Sequence, residues 1–427
     1  MVGLTAGFKQ AVGRSVDSDD FQGENRCTSG VRFLDWASGF TEFKITKDKV
    51  GMSNPTSPAR GLDGIVVAST RLSDVRGDVG KLVYCGYDID ELAGKVTYEE
   101  VVHLLHHDRL PTAVELAELR GTLAGFRDLP RAIKQIIQKI PRNAPPMHAV
   151  RSVVSMLGCF DTTADDDSMH AQRRKALRLV AQIPVITAYF HRHRQGLPLI
   201  DPDPTLGEAA NFLYMVNGEP PNAEMEGTMD VCYVLHAEHG MNASTFAARV
   251  TIATLSDMYS AITSAIGTLK GPLHGGANEG VIKMLLEIGS PEGVDAYIED
   301  ALAQKKKIMG IGHRVYKVLD PRAPHLQRMS RILSAKIGEP KWIQMSERIA
   351  ELMLQKKGLN ANVDFYSATV YYSLGIPTDL FTPIFAIART AGWTAHVLEQ
   401  LADNRLIRPQ SLYTGPVGLK VVPTAER

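Results

Sequence analysis

Several common protein designs are excluded by what this 427-residue chain has little of. It has only four cysteines, Cys27, Cys85, Cys159 and Cys232, with no CxxC pair, so neither a disulfide framework nor a thiolate zinc site is suggested. A reducing, cytoplasmic setting is the expectation. No run of about 18 uninterrupted apolar residues is present, and the N-terminus lacks the apolar core of a secretory signal, so no membrane partner is expected. An excess of charge of one sign is also missing. Lysine plus arginine number 47 and aspartate plus glutamate 47, which argues against nucleic acid or an anionic membrane as partner. Any anion must therefore be held by a local cluster. Neither the dinucleotide-binding nor the P-loop glycine fingerprint occurs, so no nucleotide prosthetic group is expected. What remains is ordinary globular composition, 44% apolar and 22% charged, in a chain long enough for two domains.

Residues 1–51 are polar and turn-rich without a sustained period, and poor order is expected there. Patterned sequence begins after Met52. One reading makes Met52 the functional start, with the first 51 residues an appendage or a misassigned start. The other is a short targeting or regulatory extension, although Asp17, Asp19, Asp20 and Glu24 disfavour a transit peptide. Between Leu62 and Tyr87, GIVVAST and GKLVYCGYDI are short, β-branched and bounded by glycine, which predicts a small hairpin or two.

After Asp88 the period changes to threes and fours. TYEEVVHLLHHDRLP, TAVELAELRGTLAGF, PRAIKQIIQKIP, HAVRSVVSMLGCF and HAQRRKALRLVAQIPVITAYFHRHRQG each predict an amphipathic helix, with prolines and glycines at the links. The fold class is all-α with a small N-terminal β-hairpin element. His103, His106 and His107 lack a carboxylate or cysteine partner for a metal, and His191 and His193 complement a helix C-terminus. The second half of the run from Met225 to Gly271 is rich in small residues and short of charge, which predicts one long helix buried on most sides. His236 and His239 stand three apart at its head. HxxH without a third ligand is a weak zinc signal, and histidines that donate to a substrate carbonyl or carboxylate are the better reading.

Two later stretches carry the chemistry. In GPLHGGANEGVIKMLLEIG, His274 stands among glycines at the opening of a helix, where backbone amides favour negative charge. In KKKIMGIGHRVYKVLDPR, Gly310 and Gly312 present His313 on a bend, with Arg314, Lys317 and Arg322 close behind. A neutral imidazole beside guanidinium groups suits a substrate with carboxylates and a polarisable carbonyl. Asp364 then stands alone between Val363 and Phe365, where an unpaired carboxylate is costly unless it has a use. A last buried helix carries Arg389, and Arg405 and Arg408 follow in an exposed segment.

GPLHGGANE, GIGHRVYKVLDPR and NVDFYSATVYYSLGIP, together with HAEHGMNAST, PMHAVRSVVSMLG and RPQSLYTG, resemble the citrate synthase family in order and spacing, from about Gly61 to Gly415. The resemblance implies a helical homodimer with a large domain (52–274 plus 377–427) and a small domain (275–376) that closes over the substrates. It implies a tricarboxylic acid cycle acyltransferase that condenses acetyl-CoA, a substrate rather than a cofactor, with oxaloacetate, and that needs no metal. Asp364 would be the base, His274 the donor to the thioester oxygen, and His313 the group that polarises the ketone. His239, Arg322 and Arg389 would hold the acceptor, with Arg408 reaching in from the partner subunit. Met309, Gly310, Ile311, Gly312, Lys317 and Lys357 would contact CoA. At Lys317 some members carry arginine. A 2-methylcitrate synthase, using propionyl-CoA, is the near alternative. A metal-dependent hydrolase built on HxxH, or a non-catalytic helical dimer, are readings of other classes.

Overall fold

A computed structural model describes residues 59–62 and 64–427. The expectations for residues 1–51 and for a start at Met52 lie outside the described residues. The β element is a three-stranded antiparallel meander, β1 (Ser73–Arg76), β2 (Lys81–Tyr84) and β3 (Tyr87–Asp88), with Val75 opposite Leu82 and Val83 opposite Asp88. The strand expected in GIVVAST does not form: Ile65 and Val66 are exposed and find no apolar face to cover, and the first strand begins downstream at Ser73. Leu82 and Tyr84 supply the buried side of the sheet.

Sixteen α-helices follow among the described residues. The first ten are α1 (Ile89–Leu92), α2 (Tyr98–His107), α3 (Ala113–Phe126), α4 (Arg131–Ile137), α5 (Pro146–Leu157), α6 (Met169–Arg194), α7 (Glu208–Asn217), α8 (Ala223–His236), α9 (Ala243–Ile252) and α10 (Met258–Leu269). Then come α11 (Ala277–Ile288), α12 (Val294–Ala303), α13 (Ala323–Lys336), α14 (Lys341–Lys357), α15 (Val363–Ser373) and α16 (Phe381–Ala402). Short polar side chains set many of the starts. Thr97 with Glu100, and Thr112 with Glu115, form reciprocal capping boxes at α2 and α3.

The long helix expected across the alanine-rich run is in fact two. Leu255 takes a left-handed φ of 63°, and the Asp257 carboxylate accepts from Ser260 N–H at 2.9 Å, so that a new helix starts at Met258. The small residues then serve the close packing of α9 against α10 instead of one straight rod.

Helix α16 is the axis of the core. It is buried from Phe381 through Leu398 and packs on α2, α6, α8, α9 and α10. Helices α11 to α15 pack chiefly on one another, and α11 also touches α16. Residues 59–427 form one compact unit.

The early histidines are structural. His103 stacks on His107 at 4.4 Å and contacts the Arg109 carbonyl at 3.0 Å, while His106 reaches the Thr394 hydroxyl at 2.9 Å. His193 contacts the Ile140 carbonyl at 3.0 Å. Among the described residues, no group of three or more His, Cys, Asp or Glu side chains is placed to hold a metal ion.

Candidate active site

Three loops, the starts of α13 and α15, and the body of α16 build the site. Gly310 and Gly312 hold φ of 74° and 79°, and a Cβ at Gly310 would run into Val281 and Phe365, so the bend in front of His313 needs glycine. The bend is stapled to the segment before α15. Gly312 N–H donates to the Asn360 carbonyl (2.8 Å), Asn362 N–H to the Gly310 carbonyl (2.9 Å), and Ile311 bridges Ala361. Asn362 also caps α15 through Asp364 N–H at 3.0 Å. One cross-connection thus sets both the His313 loop and the Asp364 helix.

His313 Nδ1 accepts from the backbone N–H groups of Val315 (3.0 Å) and Tyr316 (3.1 Å). With Nδ1 accepting, the ring proton sits on Nε2, which is therefore a donor. Burial, with help from Arg322, pulls the His313 pKa down to about 4, so the ring is neutral at pH 7. The ring stands edge-on to His239 with centroids 5.4 Å apart. Burial first, then Arg322, Arg389 and His313, hold His239 well below the ordinary histidine range.

Arg322 is buried and forks onto Asp320, Nε to Oδ1 at 2.9 Å and Nη2 to Oδ2 at 2.8 Å. Asp320 also accepts from Val363 N–H (3.1 Å), which ties the guanidinium to the start of α15. Asp364 is the next residue. Its Oδ1 is buried and has no hydrogen-bond partner. Burial raises its pKa to about 6, the cations Arg322 and Arg389 working against that rise. A half-buried carboxyl with one oxygen enclosed and unpaired is a carboxyl available to take a proton.

Arg389 comes from α16. Its Nε donates to the His236 carbonyl at 2.6 Å and its guanidinium lies over the Phe385 ring at 4.8 Å. Burial lowers its pKa only to about 10, so it stays charged at neutral pH. His236 is fully buried, with Nδ1 against the Cys232 carbonyl at 2.7 Å and Nε2 without a partner, and burial with Arg322 keeps it neutral; of the HxxH pair it is His239 whose ring stands against His313.

His274 stands on the other side of Phe385, with centroids 6.4 Å apart. Ser244 N–H donates to His274 Nε2 (3.3 Å) and the Ser244 hydroxyl lies 2.8 Å from the same nitrogen, itself receiving Trp393 Nε1–H at 3.1 Å. With Nε2 accepting, Nδ1 carries the proton. Burial brings the His274 pKa down to about 4.

Shared neighbours link the predicted residues: His239 meets His313, the cations Arg322 and Arg389 both act on Asp364, and Phe385 is against both Arg389 and His274. Lys317 lines a cavity of about 170 Å³ with Gly312, His313 and residues 358–361, and Lys357 is the last residue of α14, next to its wall. Met309 packs against Gly280 of α11. Arg408 is the exception: it lies exposed on the segment after α16, whereas Arg322 and Arg389 are buried. Sequence reasoning passed over Ser244, Tyr316 and the Asp320 carboxylate. Only Asp320 had a signal, its place between a basic loop and Arg322. Ser244 reads as a helix-start residue and Tyr316 as core.

A helical interior that gathers neutral imidazoles, guanidinium groups and a carboxyl titrating near neutrality defines an acid–base site for substrates bearing carboxylates and a carbonyl. The chain belongs to the citrate synthase family: residues 61–410 match the sequence model described as citrate synthase, C-terminal domain. It is similar to citrate synthase 2 of Bacillus subtilis, 51% identical over 369 residues, which cover 86% of this chain and 99% of that relative. It is 42% identical, over 87% of its length and 98% of the relative's, to 2-methylcitrate synthase 2 of Corynebacterium glutamicum. The citrate synthase of the thermophilic archaeon Thermoplasma acidophilum, solved as a ternary complex with carboxymethyl coenzyme A and oxaloacetate, superimposes with a TM-score of 0.83 at 34% identity, covering 87% of this chain and all of that one.

Proposed function

We propose that the protein is a citrate synthase that condenses acetyl-CoA with oxaloacetate and water to give citrate and CoA. The observation that supports this reading is Asp364, an unpaired carboxyl with a pKa near 6 that shares the nearby cations Arg322 and Arg389 with the neutral imidazoles of His313 and His274. Asp364 removes a methyl proton from the thioester, and His274 Nδ1–H donates to the thioester oxygen as the enolate forms. His313 Nε2–H polarises the ketone of oxaloacetate and protonates the alkoxide. Acid–base steps of this kind typically contribute about 10²- to 10⁴-fold each, and an oxyanion donor about 10²- to 10³-fold. His239, Arg322 and Arg389 hold the carboxylates. The backbone from Met309 to Gly312, with Lys317 and Lys357, takes the CoA moiety. Hydrolysis of citryl-CoA then makes the reaction irreversible.

Water must be kept out before condensation and admitted after it, which calls for a closing motion of residues 275–376 over the rest of the described chain. The separate packing of α11 to α15 supports that division. A homodimer in which Arg408 completes the partner's site accounts for an arginine left outside the cluster. It also gives a cover to Leu412, Tyr413, Val417, Leu419 and Val421, all exposed in the same segment. No described helix is long and apolar enough to cross a membrane, in keeping with a cytoplasmic location.

Acetyl-CoA is preferred over propionyl-CoA in this reading because identity to the relative named citrate synthase, 51%, exceeds that to the 2-methylcitrate synthase, 42%. Thiol release from each thioester in the presence of oxaloacetate tests it. The expected result is a higher kcat/KM for acetyl-CoA; a preference for propionyl-CoA would move the assignment to 2-methylcitrate synthesis.

A further inference from the structure

The Tyr316 side chain has none of the roles assigned so far, yet it lies beside three of the residues that carry them. It is 3% exposed, and its ring lies 4.8 Å from that of His313, 5.5 Å from that of His239 and 6.0 Å from the Arg322 guanidinium. Its hydroxyl is 3.2 Å from His239 Nε2. The same residue gives its backbone N–H to His313 Nδ1. One residue therefore contacts, with different atoms, the imidazole proposed to polarise the ketone and the imidazole proposed to hold a carboxylate.

The bond to His239 limits what that ring can do. Both partners are neutral: burial raises the phenol above its ordinary range and keeps the imidazole below its own. A neutral phenol and a neutral imidazole nitrogen share a single proton along their hydrogen bond. When the phenol donates, His239 Nε2 accepts and its proton is confined to Nδ1. When Nε2–H donates, the phenol O–H is left to reach a third group. In either arrangement the pair presents one proton to a carboxylate beside it, and the phenol sets which atom presents it. Without the hydroxyl, His239 would choose its form unaided.

We propose that Tyr316 is a substrate-positioning residue: its hydroxyl donates to His239 Nε2 and so holds the ring's own proton on Nδ1, the atom that meets a carboxylate of the oxo-diacid, and its ring spaces His239 from His313. This rests on the reading of the site as one for oxaloacetate.

Tyr316→Phe keeps the ring and removes the donor, so it separates the two parts of the role. Losing one hydrogen bond of this kind predicts a KM for oxaloacetate raised about tenfold, with kcat lowered no more than about threefold and KM for acetyl-CoA unchanged. In the resting protein, the ¹⁵N signal of His239 Nε2 should move away from the position of a bonded nitrogen. A 3,5-difluorotyrosine at position 316 keeps the shape and strengthens the donor, and should move the same signal the opposite way. That second substitution serves even if the phenylalanine variant folds poorly. An unchanged oxaloacetate KM together with an unmoved His239 signal would overturn the proposal. Absence of thiol release by the wild-type protein would instead overturn the assignment of the substrate, while the nitrogen shift would still report on the Tyr316–His239 bond.

Discussion

At the scale of single residues, the costliest feature of the site is the half-buried, unpaired carboxyl of Asp364. Its folded pKa of about 6 lies above the ordinary value of 3.8. Between those two values the folded chain binds more protons than the unfolded one, so stability falls as pH rises through roughly 4 to 6 and the full penalty stands above that window. Replacing Asp364 with asparagine removes a charge that has no partner. The Tm of Asp364→Asn should therefore exceed that of the wild type at pH 8 and differ little from it near pH 4. Calorimetry at the two pH values checks this, and an equal gain or loss at both would show that the carboxyl is not held protonated by its surroundings. Asp364 was legible in the sequence because a lone acid between Val363 and Phe365 has no bland explanation. Tyr316 was not, because a buried tyrosine in a glycine-bounded loop looks like any other core aromatic until its hydroxyl is located.

At the scale of elements, α16 positions the site by coming unusually close to the turn after α8. Gly392 N–H donates to the Ala237 carbonyl at 3.1 Å, and a Cβ at Gly392 would collide with that carbonyl and with the Glu238 carboxylate. Glu238 in turn accepts from Ser73 Oγ (2.9 Å) and His396 Nε2 (3.0 Å), which fixes the turn carrying His239. Gly392→Ala should destabilise the fold by about 1–3 kcal/mol through overpacking and raise KM for oxaloacetate, since His239 and Arg389 lie on the two faces forced apart. Urea unfolding and steady-state kinetics together decide this; unchanged values in both would mean that the contact is slack. The helices were legible because their apolar residues recur at three and four. The break between α9 and α10 was missed because Leu255 and Asp257 interrupt an apolar pattern without any proline or glycine, and only the left-handed Leu255 and the Asp257 cap reveal it. The first strand was misplaced for a related reason: β-branched residues alone do not make a strand where no apolar face awaits them.

At the scale of the whole molecule, most of the site lies within one chain while Arg408 lies outside it. A dimer that shares its sites predicts complementation. Asp364→Asn and Arg408→Ala proteins, each impaired alone, should recover activity when unfolded and refolded together, because about half of the dimers are then mixed and each mixed dimer holds one site with both residues intact. Statistical mixing sets the recovery at about a quarter of the wild-type rate. No recovery, with mixed dimers verified by mass spectrometry, would assign Arg408 to the surface. The order and spacing of GPLHGGANE, GIGHRVYKVLDPR and NVDFYSATV made the family legible from sequence. The way those segments meet was not legible, since the clamp of Gly310 and Gly312 onto Asn360 and Asn362 pairs residues about fifty positions apart.

The central claim is that one carboxyl takes the proton from the thioester while neighbouring groups hold the acceptor. Comparing Asp364→Asn with the wild type tests it most directly, with CoA release measured under saturating acetyl-CoA and oxaloacetate binding measured by calorimetry. CoA release should fall at least about a hundredfold with oxaloacetate affinity nearly unchanged. Retained turnover, or oxaloacetate affinity lost in step with it, would contradict the account.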